Sequence, residues 1–181
     1  MVHGGYSVGK THLMGDMLAT ERANGDVRFV NIKGEDGYAS IAGFQLGDIG
    51  ETVETVSDWR EFDKEYKGKL RAVGIDGGPL FYRAIMLHVT GANRSPTVGG
   101  NSNEWSDVHW IVVDFFTQLH YLAPIVMLTC TSDLSVDQLT GKTKKTPDLP
   151  GRMAAGSASY FDFVFYMKAE SVAPGVVRRS L

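Results

Sequence analysis

The sequence has one cysteine in 181 residues and no apolar run near the ~18 residues that a membrane-spanning helix needs. A single cysteine, Cys130, excludes an internal disulfide and a cysteine-based zinc site, which favours a reducing compartment such as the cytoplasm. We expect Cys130 to be a buried apolar residue, and we expect no membrane partner. The net charge is −3, which excludes a uniformly basic nucleic-acid binder but not a local basic strip.

Glycine is in excess, with 21 residues in a chain that is otherwise ordinary, at 43% hydrophobic and 22% charged. That is roughly 12% glycine, where about 7% is typical. An excess of glycine indicates backbone positions with positive φ or close approach to another group. The length fits one domain over residues 1–181.

Short apolar strands alternate with amphipathic helices along the chain. We expect helices over residues 11–23, from a cap at Ser57 to about 68, from Pro79 and carrying Leu80, Ala84 and Leu87, and over 108–122. We expect strands over residues 27–32, 70–75, 124–130 and 161–167, and another from Val176. This alternation predicts an α/β fold, a three-layer sandwich with a mostly parallel central sheet.

Residues 4–11, GGYSVGKT, satisfy the phosphate-loop pattern G-x-x-x-x-G-K-[ST]. The glycines let backbone N–H groups point at phosphate oxygens, and the following helix adds the positive end of its dipole. Lys10 is expected to reach the β- and γ-phosphates, and the Thr11 hydroxyl to bind Mg²⁺. The predicted nucleotide-binding residues are Gly4, Gly5, Tyr6, Ser7, Val8, Gly9, Lys10, Thr11 and His12.

Two strand ends carry candidate catalytic acids. Asp76 follows the strand LRAVGI and fits the carboxylate that orients Mg²⁺, although such an aspartate is often only a turn former. Glu35 follows the strand VRFVNI and can face the γ-phosphate, because parallel strands end along one rim of the sheet. Asp36 next to it is a competitor for the same role.

The loop GGYSVGKT, the segment VRFVNIKGEDG, and the strands RAVGID and IVMLTCTSD occur in the order found in RecA-like ATPases. The tail LTGKTKKTPDLPGRMAAGSASYFDFVFYM, with a short glycine-containing hairpin and a P-x-L-P-G-[KR] turn, resembles phage-encoded ATPases of the single-strand-annealing (Sak-type) group. The resemblance implies a RecA-like P-loop core that binds ATP and Mg²⁺. It also implies a homo-oligomer that handles single-stranded DNA in the host cytoplasm.

The resemblance also assigns roles to individual residues. Lys10 and Thr11 correspond to the phosphate and magnesium residues, Asp76 to the Walker B acid, and Glu35 to the catalytic glutamate. Thr129 or Thr131 corresponds to the γ-phosphate sensor. Arg152 matches a basic position that can act toward a neighbouring subunit's phosphate, or else is an ordinary surface arginine.

The start of the chain departs from this pattern. Only three residues precede the phosphate loop, and three residues span at most about 10 Å, less than a central strand of usual length. We therefore expect the first strand to be incomplete, as in a minimal domain or a fragment trimmed at both ends.

Several polar segments are candidate DNA contacts, each with a plainer explanation. The basic residues around the predicted hairpin can track a DNA backbone or form a solvated tip, and the segment 91–103 with Arg94 is equally open. Trp105 and Trp110 can offer stacking faces or pack in a core or interface. The basic residues are Lys142, Lys144, Lys145 and Arg152.

Three classes of function compete. The first is a RecA-like ATPase coupled to DNA handling or recombination. The second is a small P-loop kinase for a nucleoside or other small acceptor, although the lid region offers only Arg152 where kinases use several arginines. The third is an assembly subunit that binds a nucleotide without hydrolysing it. A GTPase is disfavoured because no Asn-Lys-x-Asp motif is present.

Overall fold

A computed structural model describes residues 1–6, 8–44, 46–92, 95–96, 98–99, 102–136, 141, 143–149, 153, 156–173 and 176–181. Its α-helices are α1 (Lys10–Glu21), α2 (Gly37–Ile41), α3 (Val56–Tyr66), α4 (Gly78–Thr90) and α5 (Glu104–Leu122). Its strands are β1 (Val2–Gly4), β2 (Val27–Ile32), β3 (Gly50–Val53), β4 (Ala72–Asp76), β5 (Val98–Gly99), β6 (Ser102–Asn103), β7 (Ile125–Val136), β8 (Thr143–Pro147), β9 (Phe165–Ala173) and β10 (Val176–Ser180). None of the described helices combines the length and the apolarity needed to span a membrane.

One eight-stranded sheet organises the domain, in the order β10-β9-β1-β7-β4-β2-β3, with β8 paired to β7. The strands from β9 to β3 in this order run parallel. Strands β10 and β8 add antiparallel pairings to β9 and β7. The short pair β5-β6 forms a separate ribbon. β1 lies between β9 and β7, two strands that come later in the chain, so the strand order reverses direction at β1. Open parallel sheets bind ligands at such switch points.

Helices cover both faces of the sheet. On one face, α1 and α2 enclose a core that includes Met14, Leu18 and Phe29. On the other face, α3, α4 and α5 enclose an aromatic core that includes Trp59 and Phe81. The predicted α/β three-layer sandwich with a mostly parallel sheet is confirmed.

The first strand is short but central. β1 has three residues, pairs with β7 on one side and with β9 on the other, and is buried throughout. Both edges of this strand are therefore hydrogen-bonded within the sheet.

The predicted cap of α3 is wrong. Thr55, not Ser57, caps α3, because its hydroxyl accepts from the Asp58 N–H while the Asp58 side chain accepts from the Thr55 N–H. Leu87 is 51% exposed, since the buried face of α4 is formed by Phe81 and Ile85, one turn apart.

Two predicted strand limits also differ from the structure. β9 begins at Phe165 rather than residue 161, because its ladder starts where β1 starts, with Val2 opposite Phe165. β7 continues beyond residue 130 to Val136, because the antiparallel strand β8 pairs with its distal half. The glycine-containing hairpin expected here is therefore present as β7 and β8.

Gly74 of β4 allows α1 to lie close to the sheet. A Cβ at this position would lie 2.5 Å from Met14 Sδ and 3.2 Å from Leu18 Cδ1. We expect Gly74→Ala to lower the free energy of unfolding by about 1–3 kcal/mol, through overpacking, and the melting temperature by about 2–4 °C per kcal/mol.

Gly156 is the matched control, since it has helical backbone angles and a Cβ placed there would have no neighbouring atom within 4 Å. Gly156→Ala is expected to be neutral or slightly stabilising in the same urea and thermal melts. Equal stability of Gly74→Ala and wild type would contradict this account of the contact between α1 and β4.

Candidate functional site

The phosphate loop follows β1 directly and ends in the first turn of α1. Gly9 precedes the helix with φ of 100°, in the left-handed region that favours glycine. Gly4 lies against β9, where a Cβ would overlap the carbonyl oxygen of Met167. These two glycines let the loop curl between the sheet and α1, as the sequence pattern predicts.

The Lys10 ammonium lies inside the curl of the loop. Its Nζ donates to the carbonyl oxygens of Gly5, at 2.7 Å, and Gly4, at 3.2 Å. Burial lowers the pKa of Lys10, while the nearby Asp76 and Glu35 carboxylates oppose that shift. A phosphate at this position would replace neutral carbonyl acceptors with anionic ones, which bind an ammonium more strongly.

Asp76 is the most enclosed acid of the site, at 4% exposure. Its Oδ2 accepts a hydrogen bond of 2.8 Å from the Thr11 hydroxyl, and its Oδ1 accepts one from the Thr129 hydroxyl. The structure therefore brings together the two residues that the sequence assigns to magnesium, although they lie 65 positions apart in the chain.

Thr11 and Asp76 suit Mg²⁺ of the kind that is held mainly by substrate phosphates and water. Such an ion uses only one or two protein oxygens, here the Thr11 hydroxyl and the Asp76 carboxylate. No group of three or more His, Cys, Asp or Glu side chains in the described ranges is arranged to hold a metal ion by itself. The donor set fits a nucleotide-borne cation rather than a structural metal site.

Glu35 stands at the end of β2 in a loop that Asn31 organises. The Asn31 side chain donates to the Glu35 carbonyl at 3.1 Å and accepts from the Gly37 N–H at 3.2 Å. Burial raises the pKa of the Glu35 carboxyl, the Asp76 carboxylate raises it further, and the Lys10 ammonium opposes both. Asp36 is exposed. Glu35 is accordingly the better placed of the two candidate acids to exchange a proton inside the cleft.

The two candidate sensor threonines have other partners. Thr129 is 2% exposed, donates to Asp76 and accepts from the Gly77 N–H at 3.3 Å. The Thr131 hydroxyl donates to Asp148 at 3.0 Å. Thr129 thus orients the Asp76 carboxylate in this structure.

A cleft of about 510 Å³ connects these groups at the carboxyl ends of the strands. Tyr6 lines its mouth at 82% exposure, and His12 lines it from α1 with its ring 4.8 Å from that of Phe44. Ser7 and Arg152 lie outside the described residues, as do Arg94 and Lys142. The described lining consists of Tyr6, Gly9, Lys10, Thr11, His12, Glu35, Asp36, Gly37, Ser40, Asp76, Gly77, Thr129, Cys130, Thr131 and Arg179.

Other predicted residues lie away from the cleft or play a structural part. Cys130 is buried as expected, and burial raises its pKa to about 12, which excludes it as a nucleophile near neutral pH. Trp105 and Trp110 are 37% and 67% exposed on α5 and are not among the lining residues.

Sequence reasoning missed Asn31 and Arg179. Asn31 carried a signal, since it is a polar residue between the apolar Val30 and Ile32, and the structure shows it only 5% exposed. Arg179 carried none, because only the sheet order brings β10 to the phosphate loop.

No protein-family model and no curated protein matches the sequence. Among solved structures, the ATPase domain of a phage helicase is similar with a TM-score of 0.49 and 13% sequence identity, over 92% of this chain and 68% of that one. A likeness at this level carries no inference about activity. The assignment of function depends on the chain's own site.

The pKa of Glu35 gives the domain a pH-dependent stability. A carboxyl whose pKa is raised on folding binds more protons in the folded state than in the unfolded state. The contribution of Glu35 to the free energy of unfolding is therefore fully present below the pKa that Glu35 has in the unfolded state. It is lost as the pH rises through the higher pKa that Glu35 has in the folded state. We expect Glu35→Gln to raise the melting temperature at about pH 7.5, with the gain vanishing near pH 4.

Asp36→Asn is the control, because it removes the same charge from the exposed neighbour. Melting temperatures measured by circular dichroism between about pH 4 and 8 report both variants. A gain for Glu35→Gln that is the same at every pH, or a matching gain for Asp36→Asn, would show that the Glu35 carboxyl is not unfavourably ionised.

Proposed function

We propose that the protein binds ATP with Mg²⁺ and hydrolyses it. The observation that carries this proposal is the convergence of Lys10, Thr11, Asp76 and Glu35 around one cleft at the switch point of a parallel sheet. The phosphate loop alone supports binding. The adjacent acid with a raised pKa supports hydrolysis.

Each residue has a defined part in the proposed reaction. Backbone N–H groups of the loop and the Lys10 ammonium hold the β- and γ-phosphates and neutralise their charge. Thr11 and Asp76 would hold Mg²⁺, which would supply positive charge to offset the charge that develops on the leaving group. Glu35 orients a water and accepts its proton as the water oxygen bonds to the γ-phosphorus. The bond from that phosphorus to the bridging oxygen breaks, and ADP and inorganic phosphate leave.

Thr129 supports this chemistry by orienting the Asp76 carboxylate. By donating to Asp76 Oδ1 it leaves Oδ2 facing the Thr11 hydroxyl and the cleft. A carboxylate fixed by two donors need not reorganise when the nucleotide enters, which is the preorganisation that catalysis by charge stabilisation requires.

We further propose that hydrolysis is coupled to DNA handling by a homo-oligomer, in the manner of the phage ATPases that the sequence resembles. The order of the motifs supports this, together with the β7-β8 hairpin, whose paired residues follow the part of β7 that pairs with β1 and β4. Within that hairpin, Lys145 Nζ lies 4.3 Å from the centre of the Tyr166 ring and 2.5 Å from its hydroxyl. Lys145 is exposed and remains able to contact a phosphate backbone.

Phosphate release with Mg²⁺ and ATP tests the hydrolysis. We expect wild type to release phosphate, Lys10→Ala to lose both nucleotide binding and turnover, and Glu35→Gln to bind ATP while turnover falls by about 10²–10⁴-fold. Asp36→Asn serves as the matched control and is expected to keep turnover within about threefold of wild type, a range typical of exposed substitutions.

Adding single-stranded DNA or a nucleoside separates the competing functions. Faster phosphate release with single-stranded DNA would support the DNA-coupled ATPase. Transfer of phosphate to the nucleoside would instead identify a kinase, and tight ATP binding without turnover would identify an assembly subunit. An equal rate in wild type and Lys10→Ala would contradict the proposed site altogether.

A further inference from the structure

Arg179 reaches the phosphate loop from the C-terminal strand β10. Its Nε donates to the Val8 carbonyl oxygen at 3.0 Å. A Cβ on Gly9 would lie 2.9 Å from that same nitrogen. The guanidinium therefore covers the turn that leads into α1, and it lines the cleft beside Lys10.

The two terminal amino groups of Arg179 have no partner among the residues that the structure describes. In the part of the chain that the structure describes, neither makes a hydrogen bond or an ion pair, whereas Arg71 is paired with Glu21. A guanidinium offers five N–H donors in a fork that matches phosphate oxygens. One donor holds the loop, and the others remain available to a ligand of the cleft.

The sheet fixes this arrangement. β9 runs parallel to β1 with Met167 opposite Gly4, so its backbone lies against the start of the loop. β10 returns antiparallel along β9, with Arg179 opposite Ala169. The hairpin formed by β9 and β10 thus contacts the phosphate loop twice, through the Met167 carbonyl and the Arg179 side chain.

The number of carboxylates that line the cleft also favours a second cation for phosphate binding. Its described lining includes three carboxylates, Glu35, Asp36 and Asp76, and without Arg179 the lysine would be the sole permanent cation among these lining residues. A triphosphate carries several negative charges. A second cation in the lining, besides Lys10, would strengthen the attraction for those charges.

We propose that Arg179 binds a phosphate group of the nucleotide in the same chain, which makes the β9-β10 hairpin part of the nucleotide site. This inference rests on the proposed ATP binding. Nucleotide binding then orders Arg179 and stabilises the edge strand β10. Arg179 is a binding residue that also positions the loop through Val8.

Binding of the fluorescent nucleotide mant-ATP with Mg²⁺ tests the proposal without relying on turnover. Arg179→Ala is expected to weaken binding about tenfold or more, because it removes charge-assisted hydrogen bonds to phosphate. Arg179→Lys keeps the charge but not the fork and is expected to lose less. Arg178→Ala is the matched control, since the neighbouring residue points to the opposite face of β10. It should bind within about twofold of wild type.

Hydrogen exchange gives an independent readout. In wild type, the amides of residues 176–180 should exchange more slowly with Mg²⁺ and ATP than without, and Arg179→Ala should lose that protection. Circular dichroism melts identify a variant that fails to fold. If Arg179→Ala is such a variant, Arg179→Gln, which keeps the side chain as far as Cδ and an N–H donor near the position of Nε, is measured in its place.

The outcomes separate this inference from the proposed function. Normal mant-ATP binding by Arg179→Ala, with binding lost in Lys10→Ala, would overturn the role of Arg179 and leave the proposed function intact. Equal losses in Arg178→Ala and Arg179→Ala would also overturn it, because they would reflect net charge alone. Wild-type binding that Lys10→Ala does not weaken would overturn the proposed function and this inference with it.

Discussion

The site depends on the burial of one carboxylate, that of Asp76. At 4% exposure it has lost most of its hydration, a cost that only good hydrogen-bond donors offset. The two donors, Thr11 and Thr129, belong to α1 and β7, while Asp76 ends β4. The carboxylate therefore connects α1, β4 and β7, which do not follow one another in the chain. In the sheet, β7 lies between β1 and β4. The same contacts that stabilise the acid position the phosphate loop over the sheet.

Glycine makes this close assembly possible. A side chain at Gly37 would place its Cβ 2.6 Å from Asp76 Oδ2 and 2.8 Å from Asn31 Oδ1. Gly4 plays the same part toward Met167, where a backbone carbonyl fills the space. The high glycine content of the chain is therefore explained in part by contacts between polar groups and backbone around the cleft, besides the positive φ that a turn such as Gly9 requires.

Local signals in the sequence were enough to predict the loop, the helix after it, and the acids at two strand ends. Those signals are a motif, a hydrophobic period and a strand boundary, each contained in about ten residues. The partners of Thr129 and the position of Arg179 could not be predicted, because they depend on which strands become neighbours. The start of β9 at Phe165 has the same origin, since β1 decides where pairing begins. The Thr55 cap was missed for a local reason, as two hydroxyl residues compete within three positions.

The cations and the acids that line the cleft belong to different elements of the fold. Lys10 and Arg179 lie on the loop side, while Glu35 and Asp76 lie at the ends of β2 and β4. The repulsion between these two carboxylates helps to raise the pKa of Glu35. The folded protein therefore contains an electrostatically unfavourable pair of acids in the cleft. Natural sequences keep such arrangements where function requires them. A ligand with phosphate oxygens on one side and a divalent cation on the other would offer acceptors to the Arg179 guanidinium and a counter-charge to the two acids. This match of charges is the reason for proposing a nucleotide that carries its metal ion, rather than either component alone, as the ligand of the cleft.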